Sequence, residues 1–179
     1  TVGRLLPGVE ARLDAVPGLA GERLSVRGPN VMLGYFRPEA PARLQPPPDG
    51  WYDTGDAVTR DADGFVAIRG RIKRFAKVGG EMVSLAAVEA LAASAWPDAG
   101  VAAVSLPDLR KGERVVLAVS GRDADRADLI AAARAAGQGE LLLPGRIVRV
   151  EAIPLLASGK ADYPALRALL GEERADRAA

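Results

Sequence analysis

Residues 50–84, GWYDTGDAVTRDADGFVAIRGRIKRFAKVGGEMVS, bring a carboxylate, a permanent cation, a basic run and a glycine pair into one continuous segment. Gly55 permits a tight backbone turn. Asp56, directly after it, is an acceptor-only carboxylate able to take two hydrogen bonds from vicinal hydroxyls such as those of a ribose. Asp61-Ala62-Asp63-Gly64 reads as a turn, and residues 65–68 as a short alternating strand ending at Gly70-Arg71, which brings the Arg71 cation beside Asp56. Further on, residues 75–78 and 82–84 flank Gly79-Gly80, the pattern of a two-stranded hairpin closed by a tight turn. The basic run Arg69, Arg71, Lys73, Arg74, Lys77 reads as a solvated strand face.

Upstream, short apolar runs at residues 9–13, 24–26 and 31–33 are cut by Pro7-Gly8, Pro17-Gly18 and Gly28-Pro29, which predicts antiparallel strands in a small barrel or sheet. Residues 37–49, RPEAPARLQPPPD, hold five prolines and little to bury, and are expected to be an exposed loop, with Trp51 and Tyr52 as core or loop anchors behind it.

Downstream, Leu85, Val88, Leu91 and Ala92 recur at helical spacing after Ser84, a good cap, and the helix must end before Pro97. Residues 101–106 and 114–119 predict a strand pair. Asp125 caps a helix through Ala136 with Leu129, Ile130 and Ala133 on its buried face, and Gly137 stops it. Residues 147–150 give another strand. Asp162 caps a last helix over residues 163–170 with Pro164 in its first turn, and the charged tail 172–179 is expected to fray. The fold class is therefore α+β: a small β-barrel-like subdomain, then a compact α+β domain with a hairpin, a small sheet and about three helices.

Composition narrows the chemistry. The chain of 179 residues has 49% hydrophobic residues, enough for a real core, and a net charge of +1 with 4% aromatics, which argues against a nucleic-acid surface. It has no Cys and no His, which leaves no disulfide, no thiolate and no imidazole catalysis, and no metal site is read within it. No apolar run reaches the ~20 residues of a membrane helix. The opening Thr1-Val2-Gly3-Arg4 is unlike a signal peptide and suggests a piece excised from a longer chain.

The run TGD, then DADG, then GRIKRFAKVGGEMVS resembles the adenylate-forming superfamily of acyl and aryl ligases, luciferases and peptide-synthetase adenylation domains. GRIKRFAKVGGEMVSL together with PLLASGKADY is most similar to the subgroup that ligates fatty acids to acyl carrier protein and reacylates 2-acylglycerophosphoethanolamine. The likeness is to the C-terminal end of such enzymes. It implies a boundary at 72/73: residues 1–72 are the distal β-rich part of the large N-terminal domain, and 73–179 the mobile C-terminal domain. It implies that Lys160, after Ser158-Gly159, is the catalytic lysine that meets carboxylate and phosphate oxygens during adenylation. Asp56 and Arg71 take the ribose hydroxyls, Lys73 is the hinge, and Gly79 and Gly80 border the pantetheine tunnel. ATP and Mg²⁺ are implied as cofactors, with most of their site upstream of Thr1. The implied partners are a fatty acid and acyl carrier protein, with CoA as the alternative thiol and a lysophospholipid through missing domains. A cytoplasmic location, in the intact enzyme at the inner face of a bacterial plasma membrane, goes with this, and the fragment alone is expected to be inactive.

Two positions depart from the family pattern. Arg23 stands where most members have an acid, and Ala87-Val88-Glu89 lacks the first of two acids that flank an apolar residue in many members. Other readings stay open: an acyl-CoA synthetase, a peptide-synthetase adenylation domain, or a non-catalytic docking module that binds a carrier protein through its basic run. For the single residues, the plainer alternatives are a surface salt bridge for Asp56 and Arg71, a solvated loop lysine for Lys160 and an ordinary hairpin turn for Gly79-Gly80.

Overall fold

In a computed structural model, which describes residues 1–176, the polypeptide divides into two units, Thr1–Lys73 and the residues from Arg74 onward. The first is built from strands, because proline and glycine cut its apolar runs before a helix could form. Strands β1 (Glu10–Ala15) and β2 (Glu22–Arg27) pair antiparallel, and β3 (Tyr35–Arg37) with β4 (Ala40–Gln45) makes a separate hairpin. β5 (Tyr52–Arg60) and β6 (Val66–Arg71) complete a four-stranded antiparallel sheet of order β1-β2-β5-β6. This sheet is open, and among the described residues no barrel closes.

Two local expectations are corrected here. Residues 31–33 are not a strand; pairing begins at Tyr35, beyond Gly34. Residues 37–49, expected to be irregular, contain β4 and part of the 3-10 turn Pro48–Gly50. They are largely exposed, as composition requires, but cross-strand pairing orders them. A hairpin wet on both faces has no reason to alternate apolar and polar residues, and Pro41 is tolerated on an edge strand.

The second unit begins with the hairpin β7 (Phe75–Val78) and β8 (Glu81–Ser84), turned by Gly79 at φ 60° and Gly80 at φ 94°. Both glycines sit where side-chain-bearing residues are strained, which is why this pair suits a two-residue turn. α1 (Leu85–Ala95) follows at once, its first turn capped by the Ser84 hydroxyl, which accepts from the Ala87 N–H at 3.2 Å. β9 (Gly100–Asp108) and β10 (Gly112–Ser120) pair antiparallel over their full length. α2 (Arg126–Ala135) is capped by Asp125, and β11 (Arg146–Arg149) lies parallel to β10. α3 (Tyr163–Asp176) is capped by Asp162 and runs past the expected end at Leu170; residues 177–179 of the tail expected to fray lie outside the described residues.

Alternation along the central strands divides the core into two layers. Val115, Leu117, Val119 and Ala103 face Leu85, Val88, Leu91 and Trp96 from α1 and its end, with Leu129 and Ala133 of α2. Val116, Ala118, Ala102 and Val104 face the opposite way, against Leu166 and Leu170 of α3. A strand covered on both faces reads as a continuous apolar run. Trp96 is fully buried and its indole N–H donates to Asp128 at 3.0 Å. Ile130, expected on the buried face of α2, is only half-buried.

Candidate functional site

Asp56 stands on a bulge rather than at the end of a tight turn. Opposite β5, Arg23 pairs with Ala57 and Ser25 with Asp53, so Leu24 alone faces Thr54, Gly55 and Asp56. Gly55 takes φ 72°, the left-handed conformation that such an irregularity needs. The bulge is braced from within: the Thr54 hydroxyl donates to Leu24 O at 2.9 Å and accepts from the Asp56 N–H at 3.1 Å, and Asp53 accepts from the Gly55 N–H at 2.9 Å. Arg71, paired with Asp56 across the β5–β6 ladder, forms an ion pair through Nε with Asp56 Oδ1 at 2.9 Å and donates from Nη1 to Thr54 O at 2.8 Å.

The pair is lopsided: the Asp56 side chain is 14% exposed and that of Arg71 64%. A carboxylate offers about four acceptor directions, and Arg71 engages one oxygen. As an ion pair it is worth only about 0–1 kcal/mol, so its chemical interest lies in holding a sheltered carboxylate in a fixed orientation. A cleft of about 520 Å³ in the same unit, among Arg12, Arg23, Tyr35, Trp51 and Tyr52, includes none of the expected site residues. Trp51 there has both the Arg12 and the Arg27 guanidinium groups near its ring, 5.2 and 4.8 Å from the centroid. Arg23, in place of an acid, pairs with Asp53 at 3.4 Å.

Lys73 is exposed and lies in the short 3-10 turn Ile72–Arg74 between β6 and β7. Gly79 and Gly80 project into open space, and an added Cβ at either would meet nothing within 4 Å. Their glycine requirement is therefore conformational. The turn end of this hairpin is held to the start of β10 and the residue before it, by the Lys77 N–H on Glu113 Oε2 at 2.6 Å and by the Gly79 N–H on Lys111 O at 2.9 Å.

Lys160 lies in an exposed loop that closes on itself. Leu155 bridges Ala161, the Leu156 N–H donates to Lys160 O at 2.8 Å, and the Gly159 N–H returns to Leu156 O at 2.8 Å, with Gly159 at φ 79°. The Asp162 N–H then donates to Pro154 O at 2.8 Å and fastens the loop to the start of α3. Lys160 side-chain atoms make no ion pair with the described residues, so a lone ammonium is presented at the rim of the unit.

Arg74 does not belong to a solvated face. Its side chain and that of Glu89 are each 18% exposed and pair at 2.7 Å. Arg74 also donates to Ala103 O at 2.9 Å, while Glu89 Oε1 accepts from the Ala103 N–H at 2.7 Å. The Tyr163 ring lies 3.7 Å beneath the Arg74 guanidinium, and its hydroxyl donates to Glu89 Oε2 at 3.4 Å. Burial, and then the nearby Glu89 charge, push the Tyr163 hydroxyl above its ordinary value, with Arg74 opposing. Sequence reasoning missed this cluster. The available signal was Glu89 itself, a lone acid within the apolar run of α1, because a half-buried carboxylate demands partners.

The comparisons agree on the kind of protein this architecture comes from. No family model matches the chain. It is 38% identical over 152 residues to the 2-hydroxy-7-methoxy-5-methyl-1-naphthoate--CoA ligase of Streptomyces carzinostaticus, covering 83% of this chain and 27% of that protein. It is 37% identical over 164 residues to the 2,3-dihydroxybenzoate-AMP ligase of Bacillus subtilis, covering 89% of this chain and 30% of that protein. Among solved structures, the amide bond synthetase McbA from Marinactinospora thermotolerans superposes with a TM-score of 0.67 at 34% identity, over 94% of this chain and 36% of that one. The chain belongs to the adenylate-forming acyl and aryl ligases and corresponds to their C-terminal portion. It spans less than a third of the length of these two curated relatives.

Proposed function

We propose that this chain is the C-terminal part of an adenylate-forming ligase that activates a carboxylic acid with ATP and hands it to an acceptor. Residues 1–72 would complete the large nucleotide-holding domain. Residues 73–179 would form a mobile domain that turns about Lys73 and presents Lys160. The observation that carries the reading is Lys160 itself, an unpartnered ammonium among the described residues, held on a self-closed loop at the head of α3.

Asp56 and Arg71 suit a ribose, since the sheltered carboxylate keeps acceptor directions that Arg71 does not use. Bound ATP would supply the adenylyl group, and no described residue of this chain is assigned to Mg²⁺. Lys160 would neutralise charge growing on the phosphate and carboxylate oxygens, an electrostatic contribution that is largest in a water-excluded site. The Gly79-Gly80 turn, free of side chains, would allow a narrow pantetheine arm to pass close to backbone.

The relatives' names favour an acyl- or aryl-acid ligase, with CoA as the thiol, over a carrier-protein ligase with lysophospholipid reacylation. They also differ in product, from CoA ligase to AMP ligase to amide bond synthetase, so the acceptor is the least constrained part of the reading. No helix among the described residues is long and apolar enough to cross a membrane.

The test is Lys160→Ala in the intact ligase. Formation of the acyl-adenylate should fall by about 100-fold or more, the usual cost of deleting one preorganised transition-state partner. Conversion of supplied acyl-adenylate to product should remain largely intact. Equal losses in both half-reactions would show that Lys160 supports the fold and not the chemistry.

A further inference from the structure

The Arg74, Glu89 and Tyr163 cluster joins residues from both helical layers of the second unit. Among the described strands, β9 pairs only with β10, so no described strand covers Ala103 on its other side. At Ala103, Glu89 accepts from the N–H and Arg74 donates to the C=O, and the two side chains take the place that a further strand would have. Glu89 belongs to α1, on one face of the sheet, and Tyr163 heads α3, on the other. The clamp therefore wraps the sheet edge and ties the head of α3 to α1.

That head is where the Lys160 loop is fastened. The hydrogen bonds among residues 154–162 run from the loop to itself, through Leu156 to Lys160, Gly159 to Leu156 and Asp162 to Pro154. Residues 155–160 are exposed, so little packing steadies the loop from outside. A small closed loop of this kind moves as one piece, and its orientation follows the residues at its base. Tyr163 adjoins Asp162 in sequence and is gripped from two directions, by the guanidinium over its ring and by the Glu89 carboxylate on its hydroxyl.

We propose that Tyr163, held by Arg74 and Glu89, is a positioning residue that sets the orientation of the Lys160 loop and acts on the reaction only through Lys160. The inference rests on the role proposed for Lys160 above. A displacement of about 1 Å in a catalytic group can cost up to 100-fold in rate, so loosening the base of the loop should be felt at its tip.

A double-mutant cycle in the intact ligase tests this, with both half-reactions measured for Tyr163→Ala, Lys160→Ala and the pair. Tyr163→Ala should slow acyl-adenylate formation by about 10-fold, within the range expected for misplacement, while conversion of supplied acyl-adenylate is unchanged. On the Lys160→Ala background the same substitution should do nothing further, because residues that act through one group are non-additive. Tyr163→Phe keeps the ring under Arg74 and should recover most of the rate. If Tyr163→Ala does not fold, Tyr163→Leu, which fills the space without a stacking face, takes its place in the cycle.

Equal slowing of both half-reactions, or a multiplicative loss in the double variant, would overturn the positioning role. So would a Tyr163→Ala variant with unaltered acyl-adenylate formation beside a disabled Lys160→Ala. If Lys160→Ala itself leaves acyl-adenylate formation intact, the reading of Lys160 falls, and the positioning role falls with it.

Discussion

The two units bury apolar surface to very different extents. In the first, the buried apolar residues among those described are Ala57, Val58 and Val66, while Val2, Leu6, Leu33 and Phe36 are each more than half exposed. In the second, β9 and β10 are covered on both faces, and Trp96, Leu117, Leu129, Leu166 and Leu170 are fully buried. Within the residues described, the first unit is held by strand ladders, the braced bulge around Gly55 and exposed ion pairs such as Arg27 with Glu10, each pair worth about 0–1 kcal/mol. Order in the second rests on close packing, where one large side chain is worth about 1.5–3 kcal/mol from burial alone. A lone lysine is carried accurately on a unit whose own core fixes the elements at its base.

Core substitutions should separate the two units most clearly, through stability. Trp96→Ala should destabilise the second unit by about 3–5 kcal/mol, since it opens a large cavity at a fully buried position. Val58→Ala in the first unit removes two methyl groups and should cost about 2 kcal/mol. Denaturant melts of both variants decide it, and equal losses would mean that the first unit also depends on a packed core.

The junction of hairpin and helix should give a more modest loss. Ser84→Ala removes the acceptor of the Ala87 N–H and should cost about 1 kcal/mol in the same melts. No change would show that α1 is held by its buried face alone.

Much of the second unit was legible in sequence because each of its elements is punctuated. Ser84, Asp125 and Asp162 cap the three helices where expected, and Gly79-Gly80 marks the hairpin turn. The β3–β4 hairpin was not, because a strand pair with nothing to bury leaves no alternation, and its prolines mimic a loop. At the candidate site, Asp56 and Arg71 were legible as neighbours since one strand turn separates them. The role of Gly55 was misread because a bulge and a turn need the same left-handed glycine. Arg74 was hidden among basic residues on either side, and its partners Glu89 and Tyr163 are distant in sequence. Long-range side-chain pairing of that kind leaves no local pattern.

The smallest effect concerns pH. Burial raises the Tyr163 hydroxyl above the ordinary 10.0, so the fold favours its neutral form. Its contribution is fully present below about pH 10 and is lost as pH rises through the raised value, because the native state there binds more protons than the unfolded chain. Tyr163→Phe should flatten that alkaline decline while costing no more than about 1 kcal/mol at neutral pH. An unchanged alkaline profile would show that other groups carry it.

Under the proposed function the second unit delivers Lys160 and then turns about Lys73, a rotation that Lys73→Pro in the intact ligase probes. Proline fixes φ near −65° and restricts Ile72 before it, at the residues that would have to change dihedrals. Lys73 is exposed, so the variant should still melt cooperatively, which serves as the control. The pair of half-reaction rates is the measurement. Acyl-adenylate formation should stay close to the parent rate while its conversion to product falls sharply, the reverse of Lys160→Ala. A variant that keeps the second rate, or loses the first before it, would contradict a pivot at Lys73.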